Sequence, residues 1–471
     1  MKKLTFTVIL VAIAIIGAAM MSLNDQPVKK KKTPPNLIVI MVDDMGWFDV
    51  GFNGCKDIPT PNIDRIANEG ARFNEGYVTF PVCGPSRAGF LTGRYQDRFG
   101  YTTNPSIDPN NAVSGLPVEE QTIANVLKKA DYNSAIIGKW HMGTHPNFHP
   151  LKRGFDYFYG FLSGGHNYMP EMLTLNDLSE VSKKWEWYKT KIIENHDKVE
   201  IDDYLTDELT DASIRYIKKQ TKKDQHFMVY LAYNAPHTPL QATEKYLNRF
   251  PNIKNKKRKT YAAMVSAVDD GVGRILKTLE EENIDENTLV VFLSDNGGAK
   301  NNASINLPLR GKKGDLYEGG VRVPFAMRWK GTIPAKVDYK QPISSLDIMA
   351  TIVAQNKIKI GKERPLDGVN LIPYLNGTKN SAPHDYLFWR KWEKNYMAIR
   401  NGNYKLVANS DWKNNPTELY NISEDMSETK NIKDDHDQLS KELTSQWEAW
   451  NSELKDRVFP TLNEDKWWGL E

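Results

Sequence analysis

The chain has 471 residues and carries 62 lysines and arginines against 59 acidic side chains, a net charge of +3. A balance so close to neutral excludes nucleic-acid binding as the main activity, although a small anionic substrate needs only local charge. With 40% hydrophobic and 11% aromatic residues the chain can bury a sizeable core, which excludes a disordered protein, and its length suits one large domain plus a smaller one.

The predicted elements open with an export signal. Lys2 and Lys3 precede the almost wholly apolar stretch Leu4 to Leu23. Residues 24–35 then read as a linker, with lysines from Lys29 to Lys32 and the close Thr33-Pro34-Pro35. Cleavage after residues 1–23 gives an exported protein, periplasmic or secreted, with no lasting membrane span. The run nears spanning length, so an uncleaved anchor is the alternative. No cysteine follows it, which argues against a lipoprotein. Only Cys55 and Cys83 occur in the chain.

Four apolar runs follow, each closed by polar or charged residues. Leu37 to Val42 ends at Asp43 and Asp44, and Ala135 to Ile137 ends in Gly138-Lys139-Trp140-His141. Phe227 to Tyr233 ends in Asn234-Ala235-Pro236-His237, and Leu289 to Leu293 in Ser294-Asp295-Asn296-Gly297-Gly298. Short, continuous, β-branched runs suit strands buried on both faces. Between them Ile63 to Gly70, Glu119 to Ala130, Asp207 to Gln220 and Thr260 to Glu282 carry apolar residues at helical spacing. The alternation implies an α/β domain over residues 36–366, a large, mostly parallel sheet sandwiched by helices. Such sheets bind ligands beyond the carboxyl ends of their strands, and all four polar clusters fall there. The basic stretch Lys254 to Lys259 reads as a solvated loop. Over residues 367–471 the texture changes. Tyr396 to Arg400, Tyr404 to Ala408 and Glu418 to Tyr420 read as antiparallel strands, and Gln438 to Leu454 as an amphipathic helix, together a smaller α+β subdomain.

The segment Pro81-Val82-Cys83-Gly84-Pro85-Ser86-Arg87 is the most informative. Pro85 fits the first turn of a helix that Ala88 to Thr92 continues and Gly93 ends. Cys83 then lies at a helix N-terminus, where free backbone N–H groups favour anions, and Arg87 follows one turn later. A lone cysteine before a helix is more often simply buried, and Asp43-Asp44 or Asp295-Asn296 alone more often a turn.

Taken together, however, Cys83-Gly84-Pro85-Ser86-Arg87 followed by Ala88 and Thr92-Gly93-Arg94 resembles the motif of type I sulfatases, a family within the alkaline phosphatase superfamily. The resemblance extends over nearly the whole chain after residue 35. It implies that Cys83 is oxidised to the aldehyde formylglycine by a formylglycine-generating maturation enzyme. It implies metal ligation by Asp43, Asp44, Asp295, Asn296 and the modified residue 83. These hard oxygen ligands suit Ca²⁺, or less well Mg²⁺, rather than zinc. Lys139 and His141, two apart in an extended stretch, match the family's Gly-Lys-Trp-His motif, and His237 matches its Asn-Ala-Pro-His motif. Lys313 matches the lysine of Leu-Arg-Gly-x-Lys-Gly. Lys312 stands in the variable place, and Gly314 with the spacing to Glu318-Gly319-Gly320 favours Lys313.

The chemistry so implied is hydrolysis of a sulfate ester. The hydrated aldehyde attacks sulfur while the cation, Arg87, Lys139 and Lys313 neutralise developing charge. His237, helped by Lys313, protonates the departing alcohol, and His141 takes the proton from the second hydroxyl so that sulfate is expelled. An exported enzyme of this kind points to a sulfated carbohydrate, such as a fragment of algal polysaccharide or glycosaminoglycan. His166, in Gly164-Gly165-His166-Asn167-Tyr168, sits in a stretch able to reach a sugar, and Trp185, Trp187, Trp467 and Trp468 are candidates for a groove. Cys55 has no matching role and reads as a free, buried thiol. Two rivals remain. A phosphoesterase of the same superfamily is disfavoured by Cys83 where Ser or Thr is usual. A non-catalytic glycan-binding protein is disfavoured by the full set of polar residues.

Overall fold

The computed structural model describes residues 34–461 and 464. The predicted signal segment, nearly all of the linker, and Trp467 and Trp468 lie outside the described residues. Among the described residues no helix is long and apolar enough to cross a membrane.

The predicted strands form, three slightly longer than their apolar runs and the one from Phe227 a residue shorter, ending at Ala232. In chain order the first strands are β1 (Asn36–Val42), β2 (Ala71–Phe73), β3 (Gly76–Tyr77), β4 (Asn133–Lys139) and β5 (Tyr157–Phe161). Next come β6 (Ile192–Glu194), β7 (Asp197–Val199), β8 (Phe227–Ala232), β9 (Thr288–Ser294) and β10 (Phe325–Arg328). Short strands β11 (Val337–Tyr339) and β12 (Ile343–Ser344) complete this part. Ten of them make one sheet in the order β11-β2-β10-β9-β1-β8-β4-β5-β6-β7, while β3 and β12 pair apart. The middle of the sheet, β9-β1-β8-β4-β5, is parallel, with Ile38 set between Val229 and Val290.

Every residue of β1 is buried because successive side chains serve opposite layers. Ile38, Ile40 and Val42 pack with the helices Pro61–Asn68, Leu205–Thr221 and Lys256–Glu281. Leu37, Val39 and Met41 pack with the helices Cys83–Thr92, Ile123–Leu127 and Asp347–Gln355. The expected sandwich is therefore present.

Two local expectations are corrected. The helix expected over 119–130 is an α-helix only over Ile123–Leu127, followed by a 3₁₀ turn at Lys128–Ala130. Thr122 fixes its start, accepting from the Asn125 N–H at 3.2 Å while the Asn125 side chain accepts from the Thr122 N–H at 3.0 Å. The basic stretch Lys254–Lys259 is not a loop throughout. Asn255 caps a 26-residue helix from Lys256, accepting from the Arg258 N–H. Arg258 is buried there between Asp49 at 2.7 Å and Asp57 at 2.9 Å, so its charge is spent inside the fold.

The C-terminal region is a four-stranded antiparallel sheet of β13 (Tyr386–Lys391), β14 (Tyr396–Asn401), β15 (Tyr404–Ala408) and β16 (Glu418–Asn421). Strand β13 was not foreseen. The helix Asp437–Ser452 covers one face through Leu443, Trp447 and Trp450. The other face, with Trp389, Ala398 and Val407, packs on Tyr77, Leu316 and Val321. A buried charge cluster spans this seam. Lys405 Nζ lies 2.9 Å from carboxylate oxygens of both Glu318 and Glu428. Arg322 reaches Glu318 at 3.2 Å, Tyr77 donates to Glu318 at 2.7 Å, and Arg400 pairs with Glu75 at 2.6 Å.

Candidate active site

The ends of three parallel strands are stitched together just where the polar clusters begin. The Asp43 N–H donates to the Ala235 carbonyl at 3.2 Å, past the end of β8, and the Asp295 N–H donates to the Val42 carbonyl at 3.0 Å. Asp43 and Asp44 are adjacent, and in a continuing strand they would face opposite layers. The chain instead turns left-handed at Asp44 (φ 63°), so both carboxylates serve one site.

Val82 is extended and Cys83 begins the helix that Gly93 closes at φ 64°. The Gly84 N–H donates to Asn104 Oδ1 at 2.9 Å, and a Cβ on Gly84 would lie 2.6 Å from that oxygen. A side chain after Cys83 would therefore displace the Asn104 amide that accepts from this N–H. Cys83 Sγ lies 3.8 Å from Asn104 Oδ1 and 4.0 Å from Lys313 Nζ. Arg87, one turn on, donates from Nε to Asp295 at 2.8 Å and from Nη1 to the Tyr230 hydroxyl at 3.2 Å. Lys139 Nζ stands 2.5 Å from Asp43, and Lys313 Nζ 2.7 Å from Asp44. Lys312 instead points to Asp315 at the surface, so Lys313 is the lysine of this site.

Lys139 and His141 do not reach the site by strand alternation. The backbone at His141 is left-handed (φ 57°), which swings its ring into the cavity while Lys139 points to Asp43. Gly164 packs so closely on His141 that a Cβ there would lie 2.6 Å from Nε2. His237 Nδ1 is fixed on the Thr238 carbonyl at 2.6 Å, leaving Nε2 3.7 Å from Asp44.

Three buried carboxylates thus meet three buried or largely buried cations. Burial opposes the charge on Asp43, but Lys139, His237, Arg87 and Lys313 together hold its carboxyl well below the usual range. Burial and then the neighbouring Asp43 push Asp295 up to about 7. Burial, reinforced by Lys139 and Arg87, holds His141 well below the ordinary imidazole value and keeps it neutral. Burial also lowers His237, against the pull of Asp43 and Asp44. Burial pushes the Cys83 thiol up, more than Lys139 and Lys313 draw it down. A thiol in that state is a poor nucleophile.

Hard donors are available for a cation. Asp43 Oδ1 and Asn296 Oδ1 are buried acceptors with no hydrogen-bond partner. The Asn296 amide is oriented by donating to Asp44 at 2.8 Å and to the Gly297 carbonyl at 2.9 Å, which leaves its oxygen open. Ligand atoms of Asp43, Cys83 and Asp295 lie within 4.8 Å of one another, as do those of Asp43, Asp44 and His237. Lone buried acceptors beside carboxylates fit a divalent cation that prefers oxygen. Because the three carboxylates are already matched by three cations, such an ion leaves the site positive overall, ready for an anion.

A cavity of about 210 Å³ opens over this floor. Cys83, His141, His237 and Lys313 line it below, with Trp185, Trp187 and Tyr188 on one wall. His166 is placed differently from the expectation. Its side chain is wholly buried, stacks on Phe161 and turns its nitrogens to the Asn167 carbonyl at 2.9 Å and Thr190 at 3.4 Å. It shapes the loop under the wall and does not line the cavity. Cys55 is buried, free and 3.2 Å from Asp57, with its thiol pushed up to about 12 by burial and that contact. Asn104, Tyr188 and Tyr230 went unforeseen, because each is a single polar or aromatic residue outside any motif.

Comparison with known proteins agrees with this geometry. The Sulfatase family profile matches residues 35–357, and that of the N-sulphoglucosamine sulphohydrolase C-terminal region matches residues 312–453. N-acetylgalactosamine-6-sulfatase of Canis lupus familiaris is 34% identical over 387 residues, covering 79% of this chain and 71% of the relative. An uncharacterised sulfatase of Escherichia coli K12 is 32% identical, covering 76% and 69%. Among solved structures, Ps i-CgsB in complex with k-i-k-neocarrahexaose superposes with a TM-score of 0.85 at 38% identity, covering 91% of this chain and 95% of the other. PsFucS1 sulfatase from Pseudoalteromonas sp. superposes with a TM-score of 0.77 at 26% identity, covering 90% and 91%.

Proposed function

Because the chain belongs to the sulfatase family, of the alkaline phosphatase superfamily, and is a sulfuric ester hydrolase, we propose that it removes sulfate from a sulfated carbohydrate using formylglycine at position 83 and a calcium ion. The substrate class is an oligo- or polysaccharide such as an algal polysaccharide or glycosaminoglycan fragment, met after export to the periplasm or beyond.

The observation that carries the mechanism is the state of Cys83. It sits at a helix start between Lys313 and buried carboxylates, yet burial keeps it a thiol. Conversion by a formylglycine-generating enzyme gives this position an aldehyde whose hydrate supplies an oxygen nucleophile. Asp43, Asp44, Asp295 and Asn296, with residue 83, would hold the cation, whose charge counters that of the sulfate oxygens.

The other residues have roles that follow from their placement. Arg87 pairs with Asp295 and Lys139 with Asp43, and both add positive charge behind the sulfate. Lys313 presents its ammonium to residue 83 from the open side. His237 takes up a proton at Nε2, shares it with Asp44 and gives it to the departing sugar oxygen. His141, kept neutral, accepts a proton from residue 83 when sulfate leaves. The sum is one water consumed, one alcohol and one hydrogen sulfate ion formed. Trp185, which is exposed, and Tyr188 offer ring surface to a sugar, and Trp187 backs them from a buried cluster. The names of N-acetylgalactosamine-6-sulfatase and of a neocarrahexaose complex support the carbohydrate class.

The mass of the peptide holding residue 83 in active enzyme tests this reading. An aldehyde or its hydrate is expected, and an unmodified thiol in fully active protein overturns the mechanism. Parallel assays on p-nitrophenyl sulfate and p-nitrophenyl phosphate separate it from phosphoesterase action. The sulfate ester is expected to be preferred at least a hundredfold.

A further inference from the structure

A second cavity, of about 560 Å³, opens beside the one over Cys83. The same stretches of chain wall both. Gly164 lines the first and Ser163 the second, Ile107 the first and Pro109 the second, Tyr188 the first and Thr190 the second. At about 3.3 Å of chain per residue, the paired wall positions stand roughly 3 to 7 Å apart. The partition is a small apolar cluster of its own, with Ile107, Leu178, Val181 and Trp187.

The second cavity is basic. Lys152, Lys191 and Lys198 line it with His149 and His196, and Asp177 is its one acidic lining residue. Asp177 is engaged by the N–H and hydroxyl of Ser179 at 2.9 and 2.6 Å. Lys191 pairs with Glu200 at 2.8 Å. Lys198 feels the charge of Asp177 from beyond that contact, and neither Lys198 nor Lys152 closes an ion pair like that of Lys191 among the described residues. The His149 and His196 rings stack at 4.8 Å. Burial does most to push His149 down to about 4, and the nearby His196, Lys198 and Lys152 add a positive field at the ring. Such a field in a concave, partly walled site attracts anions.

We propose that this groove is a subsite for a second sulfate group on the same glycan, so that the enzyme selects multiply sulfated chains over singly sulfated sugars. The inference rests on the sulfated-carbohydrate reading above. One sugar ester sits over residue 83, the chain crosses the Trp187 partition, and a further ester meets Lys152 and Lys198.

Dextran sulfate oligomers, used as competitive inhibitors of p-nitrophenyl sulfate hydrolysis, test it. In the double variant Lys152→Ser/Lys198→Ser the inhibition constant is expected to rise about tenfold or more, and added salt to weaken inhibition less steeply than in the parent. The KM for p-nitrophenyl sulfate, too small to span both cavities, is expected to move less than twofold. A control variant, Lys219→Ser/Lys223→Ser, removes two exposed lysines from the opposite layer and is expected to bind dextran sulfate as the parent does. An unchanged inhibition constant in the groove variant, or an equal loss in the control, overturns the proposal. Dextran sulfate binding is also followed by tryptophan fluorescence, which needs no turnover. Failure of the parent to hydrolyse p-nitrophenyl sulfate would thus refute the catalytic reading alone, while the binding comparison still decides on the groove.

Discussion

At the carboxyl edge of the large sheet, Asp43, Asp44 and Asp295 are buried against Arg87, Lys139 and Lys313. At the seam with the C-terminal sheet, Glu318 and Glu428 are buried against Lys405, with Arg322 and Arg400 beside them. The two clusters hold similar charges, yet they are finished differently. The seam cluster is shut off from solvent, and Lys405 forms ion pairs with both of its carboxylates at 2.9 Å, although Glu428 Oε1 too is left without a hydrogen-bond donor. The edge cluster lies under a cavity and keeps oxygen acceptors on Asp43 and Asn296 without donors. A cluster sealed between packed elements holds them together. One that opens on a cavity is arranged for something from outside.

Four measurements sharpen or break that contrast. Asp295→Asn should cut turnover of p-nitrophenyl sulfate about a thousandfold, because a charge that fixes Arg87 and faces the cation site is lost. Its melting temperature without divalent cation should fall only slightly, since the amide still offers an acceptor to Arg87 and both Asp43 and the Tyr230 hydroxyl remain beside it. Lys405→Met should do the reverse, costing about 3–5 kcal/mol in urea unfolding because it leaves Glu428 buried without its cation and takes one of three from Glu318. Equal destabilisation by both substitutions would erase the distinction between the clusters.

Chelation should abolish turnover. Restoring calcium to a hundred times its dissociation constant should recover about 2.7 kcal/mol of stability. An Asp43→Asn variant should show neither response. The smallest effect concerns pH. Burial and then Glu318, against the pull of Lys405, leave Glu428 raised to about 7. A raised carboxyl favours the folded state while protonated, so its contribution is present below about 4.5 and lost as pH rises through 7. Glu428→Gln escapes that loss. The melting temperature of this variant relative to the parent should therefore rise between pH 5 and pH 8.

The edge cluster was legible in the sequence because of how parallel strands are built. Buried on both faces, β1, β8 and β9 are apolar along almost their whole length, so the polar residues that follow each mark both a strand end and the ligand-binding edge. The helix at Cys83 was legible because proline and glycine punctuate its two ends. What stayed hidden depends on tertiary placement. Strand β13, Tyr-Leu-Phe-Trp-Arg-Lys, mixes aromatic and basic residues without a clean alternation, and only pairing with β14 makes it a strand. His141 enters the cavity by a left-handed residue that spacing in an extended chain cannot foresee. His166 looked available because its neighbours are glycines, but Phe161 and Thr190, distant from those glycines, bury it. Arg258 belonged to a basic run and was read as solvated. Its partners Asp49 and Asp57 lie some two hundred positions earlier.

The segment that delivers Lys313 has a consequence for the architecture of the whole chain. Its backbone is pinned by Lys313 N–H to the Gly298 carbonyl at 3.1 Å and by Gly314 N–H to Pro81 at 2.8 Å. Five residues on, Glu318 is moored to Lys405 across the seam. The last hundred residues line no part of the cavity over Cys83, yet they act as the far abutment of a bridge whose near end is Lys313. Shortening the protein from that end would unmoor a cavity lined entirely by residues before position 320.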